Sequence, residues 1–231
     1  MNAPRLEILA HESTALGLLC LRRRELLGRP GVFVTEITLD HEFLMSSYLT
    51  ESERVLSTSA LALHAGDGLR VLIGGLGLGY TAHAALASAR VARVDVVELL
   101  PQVIDWLRRG LVPLAAELNA DARLKIVRDD IYARLGAEPT QAYDLILIDV
   151  DHSPTESLSG TNIVFYREEG LRLARRHLAP GGVLGVWSYA RHSPFAEALR
   201  RVFPDVREEA VTVWNDLIDE EQTDWLFFAR G

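Results

Sequence analysis

The sequence predicts an α/β protein: a doubly wound, mostly parallel, seven-stranded Rossmann-like sheet, with an antiparallel C-terminal strand and a small N-terminal β-element. Three observations carry this. From Gly68 onward, short apolar runs alternate with helix-like runs, the rhythm of successive βαβ units. One apolar run, Val71-Leu72-Ile73, passes straight into Gly74-Gly75-Leu76-Gly77-Leu78-Gly79 and then into a helical stretch. The chain has 231 residues, 48% hydrophobic and 24% charged, enough for one large core.

Residues 1–45 read as the N-terminal β region. Residues 5–10, 17–22 and 32–39 are short apolar or alternating runs, with breakers at His11-Glu12-Ser13 and Gly28-Arg29-Pro30. Residues 46–231 read as the larger domain. A helix is expected over 51–63, where Val55, Leu56, Ser59, Leu61 and Leu63 recur, ending near Ala65-Gly66-Asp67-Gly68. Strands follow over 70–73, 94–97, 124–127, 145–148 and 183–187. Helices separate them over 80–88, 101–109 and 166–177, the second opening on Pro101 at a favourable first-turn position. After a helix over 194–203, strands at 207–213 and 225–229 read as an antiparallel hairpin joined by the acidic segment 215–223.

Composition narrows the function. A net charge of −8 argues against a nucleic-acid partner, whose phosphates need a basic face, and suits a cationic substrate. The single cysteine, Cys20, excludes an intrachain disulfide and a cysteine-based zinc cluster. His11, His41, His64, His83 and His192 lack metal-ligand spacing, and His177 precedes a helix stop, so no metal is expected. No basic leader with an apolar run opens the sequence, and no apolar stretch approaches a membrane span. These features suggest a cytoplasmic protein with no membrane partner.

The residues that carry chemistry gather at strand ends. Gly75, Gly77 and Gly79 let the backbone turn sharply and approach a ligand, just before the free N–H groups of a helix start. A tight turn alone would use the same glycines. Glu98 ends the second strand of the larger domain, placed to accept both hydroxyls of a ribose. These two features fit an adenosyl cofactor and a nicotinamide dinucleotide equally. Asp130 ends the next strand, where a carboxylate accepts from an adenine amino group or caps the turn at 131–135, and Ile131 offers the ring an apolar surface. Asp149, Asp151 and His152 gather at the end of the following strand, suited to binding a cation or taking a proton from an attacking amine or hydroxyl. The segment 155–162, rich in Ser, Gly and Asn, reads as a loop that closes over a site.

The glycine turn, Glu98, Asp130, Tyr143-Asp144-Leu145-Ile146-Leu147-Ile148-Asp149 and Leu178-Ala179-Pro180-Gly181-Gly182-Val183-Leu184 resemble the class I S-adenosylmethionine-dependent methyltransferase fold. More narrowly they resemble the spermidine synthases, which carry a small N-terminal β-domain and a Phe-Tyr pair like Phe165-Tyr166. The resemblance implies S-adenosylmethionine, or its decarboxylated form, as cofactor. Gly75, Gly77 and Gly79 would line its methionine part, Glu98 its ribose, Asp130 and Ile131 its adenine, and Asp149 would begin the catalytic loop. Two departures stand out: Leu78 replaces an aspartate of the family's glycine turn, and His152 replaces the second aspartate of its Asp-x-x-Asp-Pro loop. With fewer carboxylates to grip a diamine, the sequence favours a small-molecule methyltransferase. Aminopropyl transfer to a polyamine is the alternative. A non-catalytic adenosyl-binding protein and a nicotinamide-dependent dehydrogenase follow. The partner expected is a small-molecule acceptor such as an amine, with assembly left open between monomer and homodimer.

Overall fold

The computed structural model describes residues 5–150 and 164–231. A four-stranded antiparallel meander comes first: β1 (Leu6–Thr14), β2 (Gly17–Glu25), β3 (Phe33–Leu39) and β4 (Glu42–Ser46). β4 is absent from the sequence expectation. Its hairpin turns on Asp40 and His41, both at positive φ (47° and 71°). That geometry normally calls for Asn-Gly or Asp-Gly, so no turn signal marks it. Asp40 fastens the turn by accepting from the Leu18 N–H at 2.6 Å.

After α1 (Glu51–Leu63), the larger sheet runs β10-β11-β9-β8-β5-β6-β7. Its strands are β5 (Leu69–Gly74), β6 (Val91–Glu98), β7 (Leu124–Arg128), β8 (Tyr143–Ile148), β9 (Leu178–Ser188), β10 (Asp205–Asn215) and β11 (Glu220–Arg230). β5 to β9 are mutually parallel where they pair, and β11 and β10 are antiparallel. The helices are α2 (Tyr80–Leu86), α3 (Pro101–Arg108), α4 (Ala115–Ala120), α5 (Ile131–Gly136), α6 (Glu168–Arg175) and α7 (Ser193–Val202). Several boundaries differ from expectation: β1 runs on to Thr14 through His11-Glu12-Ser13, the expected breaker, because it stays paired with β2 there, and two more stand out. β9 starts five residues early, its Pro-Gly-Gly bulging out of register between the pairs Tyr143–Leu178 and Leu145–Val183. The acidic segment is mostly strand, because β10 and β11 stay paired out to Asn215 and Glu220.

Strand alternation splits the core in two. Val71, Ile73, Leu145, Leu147, Leu226 and Phe228 pack on α1 to α4 and on Leu19, Leu21 and Ile37 of the small sheet. Leu72, Ile146, Ile148 and Phe227 pack on α5 to α7 from the other face. The small sheet therefore lies over the face that carries α1 and α3. Trp106 of α3, fully buried, fixes it there by donating its Nε1 hydrogen to Glu12 of β1 at 2.8 Å. Among the described residues, no helix is long and apolar enough to cross a membrane.

Candidate functional site

At the carboxyl ends of β5, β6 and β8, the small sheet and the C-terminal hairpin enclose a cavity of about 790 Å³. The glycine turn forms its floor. Gly75 has φ 94°, and a Cβ there would stand 2.1 Å from the Asp149 carbonyl oxygen. A side chain would drive the turn off the end of β8. Gly77 meets Met45 of β4, whose Cε would lie 2.5 Å from an added Cβ. Gly75 and Gly77 line the cavity. Gly79 instead begins α2 and packs on Leu118 of α4.

Glu98 lies on the lining, with one carboxylate oxygen accepting from the Leu76 N–H and the other from the Leu100 N–H, each at 2.8 Å. It ties the glycine turn to the start of α3. Burial pushes its carboxyl up, against the pull of those backbone donors. The Leu99 and Gly77 N–H groups also face this carboxylate, so a ribose hydroxyl would share its acceptor sites with the turn. Asp130 caps α5, accepting from Tyr132 N at 2.8 Å and Ala133 N at 3.2 Å. It faces a separate cavity of about 200 Å³, and Ile131 is buried against Gly74. Neither lines the main cavity.

The chemistry of the main cavity comes from three carboxylates on three elements: Asp149 at the end of β8, Glu53 in the first turn of α1, and Asp224 on β11. Asp149 accepts from the Thr81 hydroxyl at 2.5 Å. Asp224 accepts from the Ser52 hydroxyl at 2.6 Å, and Ser52 in turn accepts from Trp187 Nε1 at 2.9 Å. Burial raises the Asp149 carboxyl to about 6, the Thr81 bond lowering it and the Asp224 charge raising it further. Burial, then the Asp149 charge, raises Glu53 to about 8. Burial likewise raises Asp224, against its hydrogen bonds. The Asp149 and Asp224 charges raise Glu53, the Asp224 charge raises Asp149, and among the described residues no cation lowers any of the three. An anionic cluster removed from bulk water is a receptor for ammonium groups.

Glu53 and Asp224 were not assigned from sequence. Asp224 hides behind Glu220 and Glu221 in what reads as a solvated acidic run. Strand parity was the available signal: Asp224 shares a face with Leu226 and Phe228, which point into the core. Asp151, His152 and the segment 155–162 lie outside the described residues.

No family model matches the chain. It is 30% identical to polyamine aminopropyltransferase 2 of Pseudomonas aeruginosa over 173 residues, 68% of this chain and 46% of that protein. It is 37% identical to polyamine aminopropyltransferase 2 of Streptomyces coelicolor over 124 residues, 52% and 22% of the two chains. It is 31% identical to putrescine N-methyltransferase 2 of Nicotiana tabacum over 115 residues, 50% and 31%. The chain thus spans less than half the length of these curated relatives. A crystal structure of spermidine synthase in complex with the transition-state analogue AdoDATO superposes over 96% of this chain and 73% of that one, with TM-score 0.75 at 19% identity. The chain is a spermidine synthase-like member of the class I S-adenosylmethionine-dependent methyltransferase fold. Within that spermidine synthase-like fold, the cavity sits at the strand ends where such sheets bind ligands.

Proposed function

We propose that the chain transfers an aminopropyl group from decarboxylated S-adenosylmethionine to an amine acceptor. The cluster of Glu53, Asp149 and Asp224 carries this reading. It replaces the preference for methyl transfer, which rested on too few carboxylates being legible. The names of the two bacterial relatives support the replacement. An acidic cavity also discriminates between cofactors. The methionine carboxylate of S-adenosylmethionine would be repelled by the cluster, while the bare ammonium of the decarboxylated form would be held.

The residues fit such a cofactor. Gly75 and Gly77 leave the space that side chains would fill, and Glu98 offers acceptors at the turn. Asp130 and Ile131 stay proposed for the adenine, Asp130 through the capacity left after capping. When bound, the sulfonium would supply an electrophilic carbon, to which the neutral amine nitrogen would form a C–N bond as the C–S bond broke and its electron pair left on sulfur. Glu53 and Asp224 hold the amine as it arrives in its ammonium form and fix its approach, and the nitrogen becomes a nucleophile only once it has lost a proton. Asp149, raised to about 6, accepts the proton that the nitrogen sheds, a match to neutral pH. Asp151 and His152 remain proposed as further members of the catalytic loop.

The test is a calorimetric panel of decarboxylated S-adenosylmethionine, S-adenosylmethionine, methylthioadenosine and NAD. Decarboxylated cofactor and methylthioadenosine are expected to bind, the former tighter than S-adenosylmethionine. Binding of NAD with no adenosyl thioether bound would sink the reading, and a preference for S-adenosylmethionine would restore methyl transfer.

A further inference from the structure

The charge of the cavity is not uniform. Its acidic cluster lies deep, where Asp224 meets Ser52 and Trp187. On the wall made by the small sheet stands Arg24, the one basic side chain lining the cavity among the described residues. Arg24 donates its Nε hydrogen to Glu36 at 2.7 Å, and Arg22 donates to the other oxygen of the same carboxylate at 2.8 Å. Glu36 is buried, its side chain only 3% exposed. One carboxylate thus holds two guanidinium groups, and the triad keeps a net positive charge. A guanidinium has five N–H donors. Arg24 spends Nε on Glu36, and among the described residues its Nη groups make no hydrogen bond.

Placement separates the two poles. Arg24 pairs with Val34 near the end of the β2–β3 ladder, and the turn beyond it puts Arg29 in an ion pair with Asp216 at the tip of the β10–β11 hairpin. Asp224 lies four residues along β11 from its first residue, Glu220, roughly 13 Å at the rise of a strand. Phe43, Leu44, Leu49, Leu217 and Ile218 add apolar wall to the same cavity.

We infer that the acceptor is an amine bearing a carboxylate at its far end, the amine held by Glu53, Asp149 and Asp224 and the carboxylate by Arg24. The inference rests on the amine-acceptor reading above and narrows it. A long α,ω-diamine would bring its second ammonium toward the net positive charge of the Arg22–Glu36–Arg24 triad. An ω-amino acid meets an opposite charge at each end.

Calorimetry on the full chain with methylthioadenosine present, comparing ω-aminooctanoate with the diaminooctane of equal length, tests this. The wild type is expected to bind the amino acid about tenfold tighter than the diamine, the worth of one charge-assisted hydrogen bond. Arg24→Gln is expected to abolish that preference, and Arg24→Lys to retain part of it. A wild type that binds the diamine equally or better overturns the inference, and this holds even where Arg24→Gln fails to fold. So does an Arg24→Gln variant that loses affinity for S-adenosylmethionine but not for ω-aminooctanoate, because the carboxylate met by Arg24 is then the cofactor's. If methylthioadenosine does not bind, the transfer reading falls, while the same two amines titrated alone still decide the role of Arg24.

Discussion

Asp224 acquires its chemistry from what surrounds it. The Ser52 hydroxyl fixes one oxygen, and the charge raises the carboxyls of both Glu53 and Asp149. Asp224→Asn keeps an oxygen that can accept from Ser52, so the fold is expected to survive. The lost charge is expected to weaken amine binding by about 1.5–3 kcal/mol, the worth of a hydrogen bond to a charged group. Unchanged affinity in a titration with putrescine would place the amine elsewhere. Glu98→Gln is a harsher change than strand position alone suggests. Both oxygens accept from backbone N–H groups, so an amide NH2 must confront one of them. A lower melting temperature is expected together with weaker methylthioadenosine binding. Loss of stability with full affinity would restrict Glu98 to holding the turn. Glu98 was legible because an acidic residue closes an apolar strand. Asp224 was not, because its acidic neighbours mask the parity that turns it inward. Asp130 was open between two roles in the sequence, and its cap contacts are visible only in three dimensions.

The glycine turn and α3 are the elements on which the cavity depends. Gly75→Ala adds a Cβ 2.1 Å from the Asp149 carbonyl oxygen and forces a non-glycine residue to φ 94°. The backbone conformation alone costs about 1–2 kcal/mol. The displaced turn is expected to abolish cofactor binding in a variant whose circular dichroism spectrum remains native; retained binding would show that the turn tolerates the shift. Trp106→Ala removes a fully buried indole and its bond to Glu12, and is expected to cost about 3–5 kcal/mol. Hydrogen exchange should quicken most in β1, which loses its tie to α3; uniform quickening across the chain would deny Trp106 that local role. The βαβ rhythm and the strand-to-glycine passage were legible because they repeat a period and a composition. β4 was not, because Asp40 and His41 take up positive φ without glycine. The length of β10 and β11 was concealed by charged residues that read as loop but pair as strand.

At the scale of the whole molecule, the acidic cluster opposes stability. Glu53 near 8 and Asp149 near 6 both lie above the ordinary values of 4.5 and 3.8, so the folded chain holds protons that the unfolded chain has released. By linkage, their contribution to stability falls as pH rises from about 4 to about 8 and changes little beyond. Glu53→Gln removes most of that slope. Its melting temperature is expected to exceed the wild type's at about pH 9 and to match it at about pH 4. Equal melting temperatures at both ends would show that Glu53 titrates normally. A bound ammonium relieves the same repulsion, so an amine ligand is expected to raise the melting temperature more at the alkaline end. The order of assembly also follows from where these charges sit in the chain. The glycine turn, Glu53, Glu98 and Asp149 all precede residue 150 in the chain, while Asp224 comes about 75 residues later on β11, which inserts between β9 and β10. During synthesis the ribosome thus delivers the proposed nucleotide-binding turn before the proposed amine cluster is complete, and that cluster closes only when β11 takes its place in the sheet.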